Sequence, residues 1–157
     1  MPKIAIDKAP RAKGSRYPKP YNEPCMEREL IRLGEAGNLT QFGVNITILK
    51  PGVWASQRHW HEKEDELVYV LSGELVLIED EGETVLRPGD CAAWKAGVRN
   101  GHHLINRSRQ DASFLVVGSR DESDWGEYPD IDLKFNPERY TDARPSAIFS
   151  HKDGTPY

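Results

Sequence analysis

The chain has 157 residues, a length that suits a single domain whose core needs no disulfide or structural metal for stability. Its 21 basic and 25 acidic residues give a formal net charge of −4, which offers no overall attraction to nucleic acid or to a membrane surface. With 38% hydrophobic residues and no apolar run long enough to span a bilayer, the composition predicts a soluble globular protein without nucleic-acid or membrane partners.

Residues 1–26 are predicted to form an extended arm. This segment combines six Lys or Arg residues with five prolines and lacks the continuous apolar stretch of a secretion signal. Cys25 and Cys91 form no Cys-x-x-Cys pair, so neither a disulfide framework nor a cysteine-rich zinc site is indicated. Cys91 precedes two alanines and is expected to be a small buried side chain. The default expectation is therefore a reducing, cytoplasmic location.

Residues 27–118 are predicted to form an all-β barrel domain. From residue 41 to residue 118, short apolar or alternating runs are separated by clusters of Gly, Pro, Asp and Asn, a pattern that indicates roughly eight strands. The segment Glu27–Leu33 is compatible with a helix or a strand, and we favour the strand. Because many short strands leave edges that must be closed or covered, a barrel or jelly-roll sandwich is expected rather than an open sheet.

Two of these strands carry specific predictions. In Gln41–Leu49 the alternation predicts a core-facing side formed by Phe42, Val44, Ile46 and Ile48. The strand Leu67–Leu71 is apolar on both faces, so something must cover its outer face. We expect a two-fold homodimer to provide this cover, with the chain's own arm or tail as the alternative.

Residues 119–157 are predicted to form a short C-terminal extension that packs on the barrel. This segment is mostly polar and carries prolines along its length. Its two apolar pieces, 131–135 and 147–149, can add edge strands.

The segment from Gln57 to Glu66 carries the most informative polar pattern. His59 and His61 are two residues apart, so on an extended strand both imidazoles project to the same side, and Gln57 shares that side. Glu66 opens the next apolar strand and places a carboxylate at the rim of the same interior. The rest of the acidic run 62–66 is expected to be a solvated turn. Two nitrogens and one oxygen are thus predicted to converge.

A fourth ligand can come from the pair His102 and His103, which face opposite sides of a strand. A histidine on an apolar strand needs a partner for its polar atoms, so one of the two is a candidate ligand. Three neutral imidazoles and one carboxylate suit one divalent transition metal ion, such as Zn, Fe, Mn or Ni, with open positions for substrate or water. The residues do not select among these metals.

These residues lie in two stretches that resemble the two motifs of the cupin superfamily. The first motif is matched by Gly52, His59, His61, Glu66 and Gly73, and the second by Gly89, Gly97, His102 and Asn106. The resemblance implies a double-stranded β-helix, a cupin jelly-roll barrel, with a metal inside that is held by His59, His61, Glu66 and His102. It covers residues 41–118. The chain also resembles small bacterial cupins labelled as sugar or sugar-phosphate isomerases, a label that rests on fold analogy.

Three departures from the family pattern fall at turns, where insertions are tolerated best. Six residues rather than five separate Gly52 from His59, and Lys95 stands where the family has proline. Four residues rather than two separate Gly97 from His102, which keeps His103 as the alternative fourth ligand.

Three functions are compatible with such a site. The first is an enzyme that acts on a small hydroxy-carbonyl compound, a sugar or organic acid, with Glu66 or a metal-bound hydroxide as the catalytic base. The second is an Fe(II)-dependent dioxygenase with the same ligands. The third is a non-catalytic module that binds or senses a small ligand, since few other acids or bases are evident. In each case Gln57, Trp94 and Asn106 are predicted to line the pocket.

Overall fold

The structure, a computed structural model, describes residues 3–140 and 148–157, and strands predominate in it. The strands are β1 (Arg11–Lys13), β2 (Glu29–Arg32), β3 (Phe42–Leu49), β4 (Glu66–Ser72), β5 (Leu75–Glu79), β6 (Gly82–Leu86), β7 (Cys91–Trp94), β8 (His103–Ile105), β9 (Ala112–Ser119), β10 (Gly126–Tyr128), β11 (Leu133–Phe135) and β12 (Phe149–Ser150). A single helical turn, α1 (Leu33–Ala36), follows β2, and 3-10 turns lie at Ile6–Lys8 and Glu23–Cys25. Within the described ranges, no helix has the length and apolar character needed to cross a membrane.

Two antiparallel sheets form the barrel. One has six strands in the order β1-β2-β3-β9-β4-β7, and the other has three in the order β6-β5-β8. Side chains alternate between the two faces of each strand, so every second residue of β4, β5 and β9 points inward. These inward residues form the main core, which includes Leu49, Val68, Val70, Leu75, Leu77, Leu104 and Phe114. The predicted all-β fold class is confirmed.

Strand β3 presents the opposite face to the interior from the one predicted. Thr47 and Leu49 are buried at 2% and 0% exposure, whereas Phe42 is 41% exposed. The antiparallel register explains the difference, because Thr47 and Leu49 lie opposite the buried residues Phe114 and Ala112 of β9. The more polar face of β3 turns inward because this part of the barrel encloses a polar cavity rather than a wholly apolar core.

The strand interpretation of Glu27–Leu33 is confirmed for β2, which pairs with both β1 and β3. The segment that carries the two histidines is less regular than predicted. Residues 54–61 form only isolated bridges, from Trp54 to Ile105 and from His59 to His102, so seven strands rather than eight lie between residues 41 and 119. The bridge at His59 still fixes this segment against the start of β8.

The residues before and after the barrel pack against each other. Strands β10, β11 and β12 form a third sheet, whose buried residues make a second apolar cluster. Tyr17 and Tyr21 of the arm pack on this cluster. Of the predicted apolar piece 147–149, residue 147 lies outside the described residues and Phe149 begins β12. The arm also contributes β1, which pairs with β2 at the edge of the large sheet.

The outer face of β4 supports the expected homodimer, which we retain as a proposal. Leu67, Tyr69 and Leu71 are 40%, 42% and 42% exposed, so the described parts of the arm and tail leave this face largely uncovered. Cys91 of β7 pairs with Tyr69 and is exposed, contrary to the expectation that it is buried. Such a contiguous apolar face is typical of a surface that a second copy of the chain covers.

We predict that Tyr69→Asp converts a dimer to a monomer, because it places a charge at the centre of this face. Light scattering measures the outcome. Val85→Asp is the matched control, since Val85 is equally exposed at 42% but lies on β6 in the other sheet. A wild-type chain that is monomeric would contradict the proposal.

Candidate metal centre

Three of the predicted ligands converge inside the barrel. One ligand atom each from His59, His61 and Glu66 lies within 4.8 Å of the others. The bridge from His59 to His102 holds the first histidine against the edge of β8, and Glu66 pairs with Trp94 and Gly118 at the start of β4. This cluster could therefore hold a metal ion.

The imidazoles are oriented by hydrogen bonds at Nδ1. His59 Nδ1 lies 2.9 Å from the Gln57 carbonyl oxygen, and His102 Nδ1 lies 3.2 Å from the Asn100 carbonyl oxygen. His61 Nδ1 lies 2.8 Å from the Asp124 carboxylate. Because these oxygens only accept, each Nδ1–H donates and each Nε2 is left free to bind a metal.

The geometry favours His102 over His103 as the fourth ligand. His102 Nε2 lies 3.7 Å from Glu66 Oε2, is buried, and has no hydrogen-bond partner within the described part of the chain. Its ring stacks on Trp94 at a centroid distance of 3.8 Å and an interplanar angle of 6°. A buried, unpaired nitrogen is unfavourable unless it binds something, and a metal ion satisfies it. His103 instead directs Nδ1 to the Ser56 carbonyl oxygen, at 2.9 Å.

The protonation states also suit metal binding. Burial, followed by the nearby imidazoles of His61 and His102, holds the pKa of His59 well below its usual value, so this ligand is neutral. Burial opposes ionisation of Glu66, but the nearby imidazoles of His102 and His61 outweigh it and hold the pKa of this carboxyl well below its usual value. A carboxylate with such a low pKa is a good ligand and a weak base. Glu66 is therefore better suited to metal binding than to the predicted role of catalytic base.

His61 differs from His59 because it contacts two carboxylates. Burial lowers its pKa, but the hydrogen bond to Asp124 and the nearby Glu66 carboxylate dominate and raise the pKa of His61 to about 8. In the metal-free protein His61 is thus protonated at neutral pH, and an incoming ion must displace that proton.

We predict that zinc affinity rises about tenfold per pH unit below about pH 8 and levels off above it, because only the neutral form of His61 binds metal. Calorimetric titrations with zinc in buffers of different ionisation enthalpy measure both the slope and the proton released. An affinity that does not change below pH 8 would show that His61 is already neutral in the metal-free protein.

A buried charged network lies behind His61. Asp124 and Glu64 are 1% and 4% exposed, and both form ion pairs with the guanidinium group of Arg139. Tyr140 Oη donates to Glu64 at 2.5 Å, and the Lys63 backbone N–H donates to Asp124 at 2.8 Å. The acidic run predicted that Glu64 belongs to a solvated turn, and this prediction is wrong because Glu64 is buried. Asp124 and Arg139 were missed because they lie about sixty to eighty positions along the chain from their partners, and no local pattern marks them.

The predicted pocket residues divide into two groups. Trp94 lines the larger cavity and donates its indole N–H to Glu79 at 2.7 Å. The Gln57 side-chain amide donates to the Tyr21 carbonyl oxygen at 2.7 Å and so ties the arm to the barrel. Asn106 is fully buried, and its amide donates to the carbonyl oxygens of Leu49 and Gln110. Gln57 and Asn106 are thus committed to contacts within the fold and do not line the cavities at the metal centre.

Two adjoining cavities share His59 in their walls. The larger has a volume of about 300 Å³ and is lined by His59, Glu66 and His102, among other residues. The smaller has a volume of about 170 Å³ and is lined by His59 and His61. Together they can hold a small organic molecule next to the metal centre.

The fold and the site define a small antiparallel β-barrel protein whose inward histidines and glutamate could hold a metal ion. The profile of the Cupin domain family matches residues 45–118. The chain is 42% identical to a solved structure described as a sugar phosphate isomerase of the cupin superfamily from Silicibacter pomeroyi DSS-3, with 99% of this chain and 96% of that chain covered and a TM-score of 0.88. The chain therefore belongs to the cupin superfamily, and the predicted double-stranded β-helix is confirmed.

Two further solved structures extend the comparison. A candidate sugar phosphate isomerase from Acidithiobacillus ferrooxidans ATCC 23270 is 25% identical, with 79% of this chain and 74% of that chain covered and a TM-score of 0.69. A predicted oxalate decarboxylase from Thermotoga maritima is 24% identical, with 74% of this chain and 97% of that chain covered and a TM-score of 0.61. This similarity shows a common fold and nothing about function. The chain matches no curated protein.

Proposed function

We propose that the protein is a metal-dependent enzyme that isomerises a small hydroxy-carbonyl compound, such as a sugar or organic acid. His59, His61, Glu66 and His102 would hold one divalent ion, with Zn, Fe, Mn and Ni all compatible with this donor set. The observation that carries the proposal is the set of three imidazoles whose Nε2 atoms are left free by Nδ1 hydrogen bonds around one carboxylate. The similarity to a described sugar phosphate isomerase over nearly the whole chain supports it.

The chain's own residues would bind and orient the substrate and control a proton. When bound, the ion would polarise the carbonyl and hydroxyl oxygens and make the intervening C–H more acidic. Tyr17 lines both cavities, and burial raises its pKa to about 12, so its phenol keeps its proton at neutral pH. Tyr17 Oη could thus donate that proton to a substrate oxygen that gains negative charge. Trp94 keeps the His102 ring in position by stacking on it.

One observation favours the non-catalytic alternative, a module that binds a small ligand. Because Glu66 has a low pKa and serves as a ligand, the larger cavity presents no other carboxylate among the described residues that line it. An isomerase needs a group that accepts a proton, and a binding module does not. Turnover assays therefore decide between these functions.

The experiment is to load the protein separately with Mn, Fe(II), Ni and Zn and to follow the conversion of aldoses, ketoses and hydroxy acids by NMR in D₂O. We expect deuterium to appear at the carbon next to the carbonyl with at least one metal, and not with a Glu66→Gln variant. Parallel measurement of O₂ uptake with Fe(II) tests the dioxygenase alternative. Ligand binding without exchange or oxygen uptake would favour the binding module. The cytoplasmic location and the small-molecule partner stay predictions.

A further inference from the structure

The smaller cavity beside the metal centre has an unusual charge. Its wall includes Arg16, Arg28 and Arg139 together with the candidate ligands His59 and His61. No Asp or Glu is among the described residues that line it. A cavity whose charged side chains are all cationic attracts an anionic group.

Among the described residues, acidic side chains neutralise only one of these three arginines. The guanidinium of Arg139 forms ion pairs with Glu64 and Asp124. Arg28 uses three N–H donors on backbone oxygens, two on Gly14 and one on Ala55. Since a guanidinium has five N–H donors, Arg28 keeps two donors, and no described Asp or Glu forms an ion pair with it.

Arg16 has no hydrogen-bond or ion-pair partner among residues 3–140 and 148–157. It is exposed, in the arm at the mouth of the cavity. Partial burial lowers the pKa of Arg16, and the positive charges of Arg32, Arg139 and Arg28 lower it further. Arg16 therefore sits in a positive field that a bound anion would relieve.

We propose that Arg16 and Arg28 form a subsite for the phosphate group of a phosphorylated substrate whose carbonyl end reaches the metal centre. The substrate link rests on the proposed function, whereas the anion subsite does not. Two uncompensated guanidinium groups match the charge of a phosphate dianion better than that of a single carboxylate. The cavities share Tyr17, Arg28 and His59, so one molecule can occupy both.

The test is a calorimetric titration of inorganic phosphate into the full-length protein after treatment with a chelator, so that phosphate cannot bind a metal ion. We expect phosphate and sulfate to bind and acetate to bind at least about tenfold more weakly. Arg16→Gln should weaken phosphate binding by about tenfold or more, since it removes charge-assisted hydrogen bonds. Arg28→Lys keeps the charge but not the forked donors and should also weaken binding.

Arg11→Gln is the matched control, because it removes the same charge from an exposed residue of the same arm that lines neither cavity. It should leave phosphate binding unchanged. If Arg11→Gln and Arg16→Gln lose the same phosphate affinity, the effect comes from overall charge and the subsite is contradicted. Phosphate that does not bind the wild type at all would also contradict the subsite. Phosphate binding that depends on Arg16 in a protein without isomerase activity would uphold the subsite and refute only the proposed reaction.

Discussion

Replacing Glu66 with glutamine is expected to abolish stoichiometric metal binding. The substitution removes the one anionic ligand of the proposed centre. The glutamine amide N–H₂ can donate to the Nε2 atoms of His61 and His102, which lie 3.4 and 3.7 Å from the Glu66 carboxylate. Loss of a residue that merely orients a ligand weakens metal binding about 10- to 100-fold, so loss of a charged ligand should exceed 100-fold. Metal content after dialysis and zinc titration calorimetry measure the change.

Glu62→Gln is the control for this variant. Glu62 lies in the same acidic run and loses the same charge, but its side chain faces Arg99 at the surface, with a nitrogen–oxygen distance of 3.3 Å. We expect Glu62→Gln to bind metal as the wild type does. Equal metal content in Glu66→Gln and the wild type would remove Glu66 from the ligand set and contradict the proposed centre.

Much of the centre could be predicted because its ligands follow local rules. The spacing of His59 and His61 fixes their common side in any extended segment, even though that segment makes only isolated bridges. Glu66 opens an unambiguous apolar strand, so its inward direction follows from Val68 and Val70. Local alternation thus sufficed where one face of a strand was clearly apolar.

The same rule failed on β3, where the more apolar face turns outward. Val44, Ile46 and Ile48 are half-buried on the outside of the sheet, and Thr47 is buried inside. Alternation identifies two faces but does not say which one meets a polar cavity or an interface. In a barrel whose interior carries a polar site, the less apolar face of a strand can be the one that points inward.

The residues around the ligands could not be predicted for a different reason. Asp124 and Arg139 come from the C-terminal extension and meet His61 only after that extension folds over the barrel. Arg16 comes from the arm at the other end of the chain. Contacts between such distant residues depend on how loops and short strands pack, which leaves no periodic signal in the sequence.

Asp124→Asn is expected to weaken zinc binding about 10- to 100-fold, because Asp124 orients His61 and fixes its Nδ1–H. It should also lower the free energy of unfolding by about 3 kcal/mol, since the buried Arg139 loses one of its two carboxylate partners. Burial raises the pKa of Asp124, but hydrogen bonds from His61 and Arg139 outweigh it and lower the pKa. The stability that this carboxylate contributes is therefore lost as the pH falls. The difference in free energy of unfolding between Asp124→Asn and the wild type should become smaller in acid.

Asp121→Asn separates this effect from a general loss of negative charge in the same loop. Asp121 Oδ1 accepts hydrogen bonds from the backbone and hydroxyl of Ser123, which an asparagine oxygen can also accept. We therefore expect Asp121→Asn to keep zinc affinity and nearly all of the stability. Zinc titrations and urea unfolding at neutral and acidic pH measure both quantities. If Asp124→Asn loses stability but keeps wild-type zinc affinity, Asp124 holds Arg139 in the fold without positioning His61. The orientation of His59 and His102 is not affected by this substitution, because their Nδ1 atoms donate to backbone oxygens.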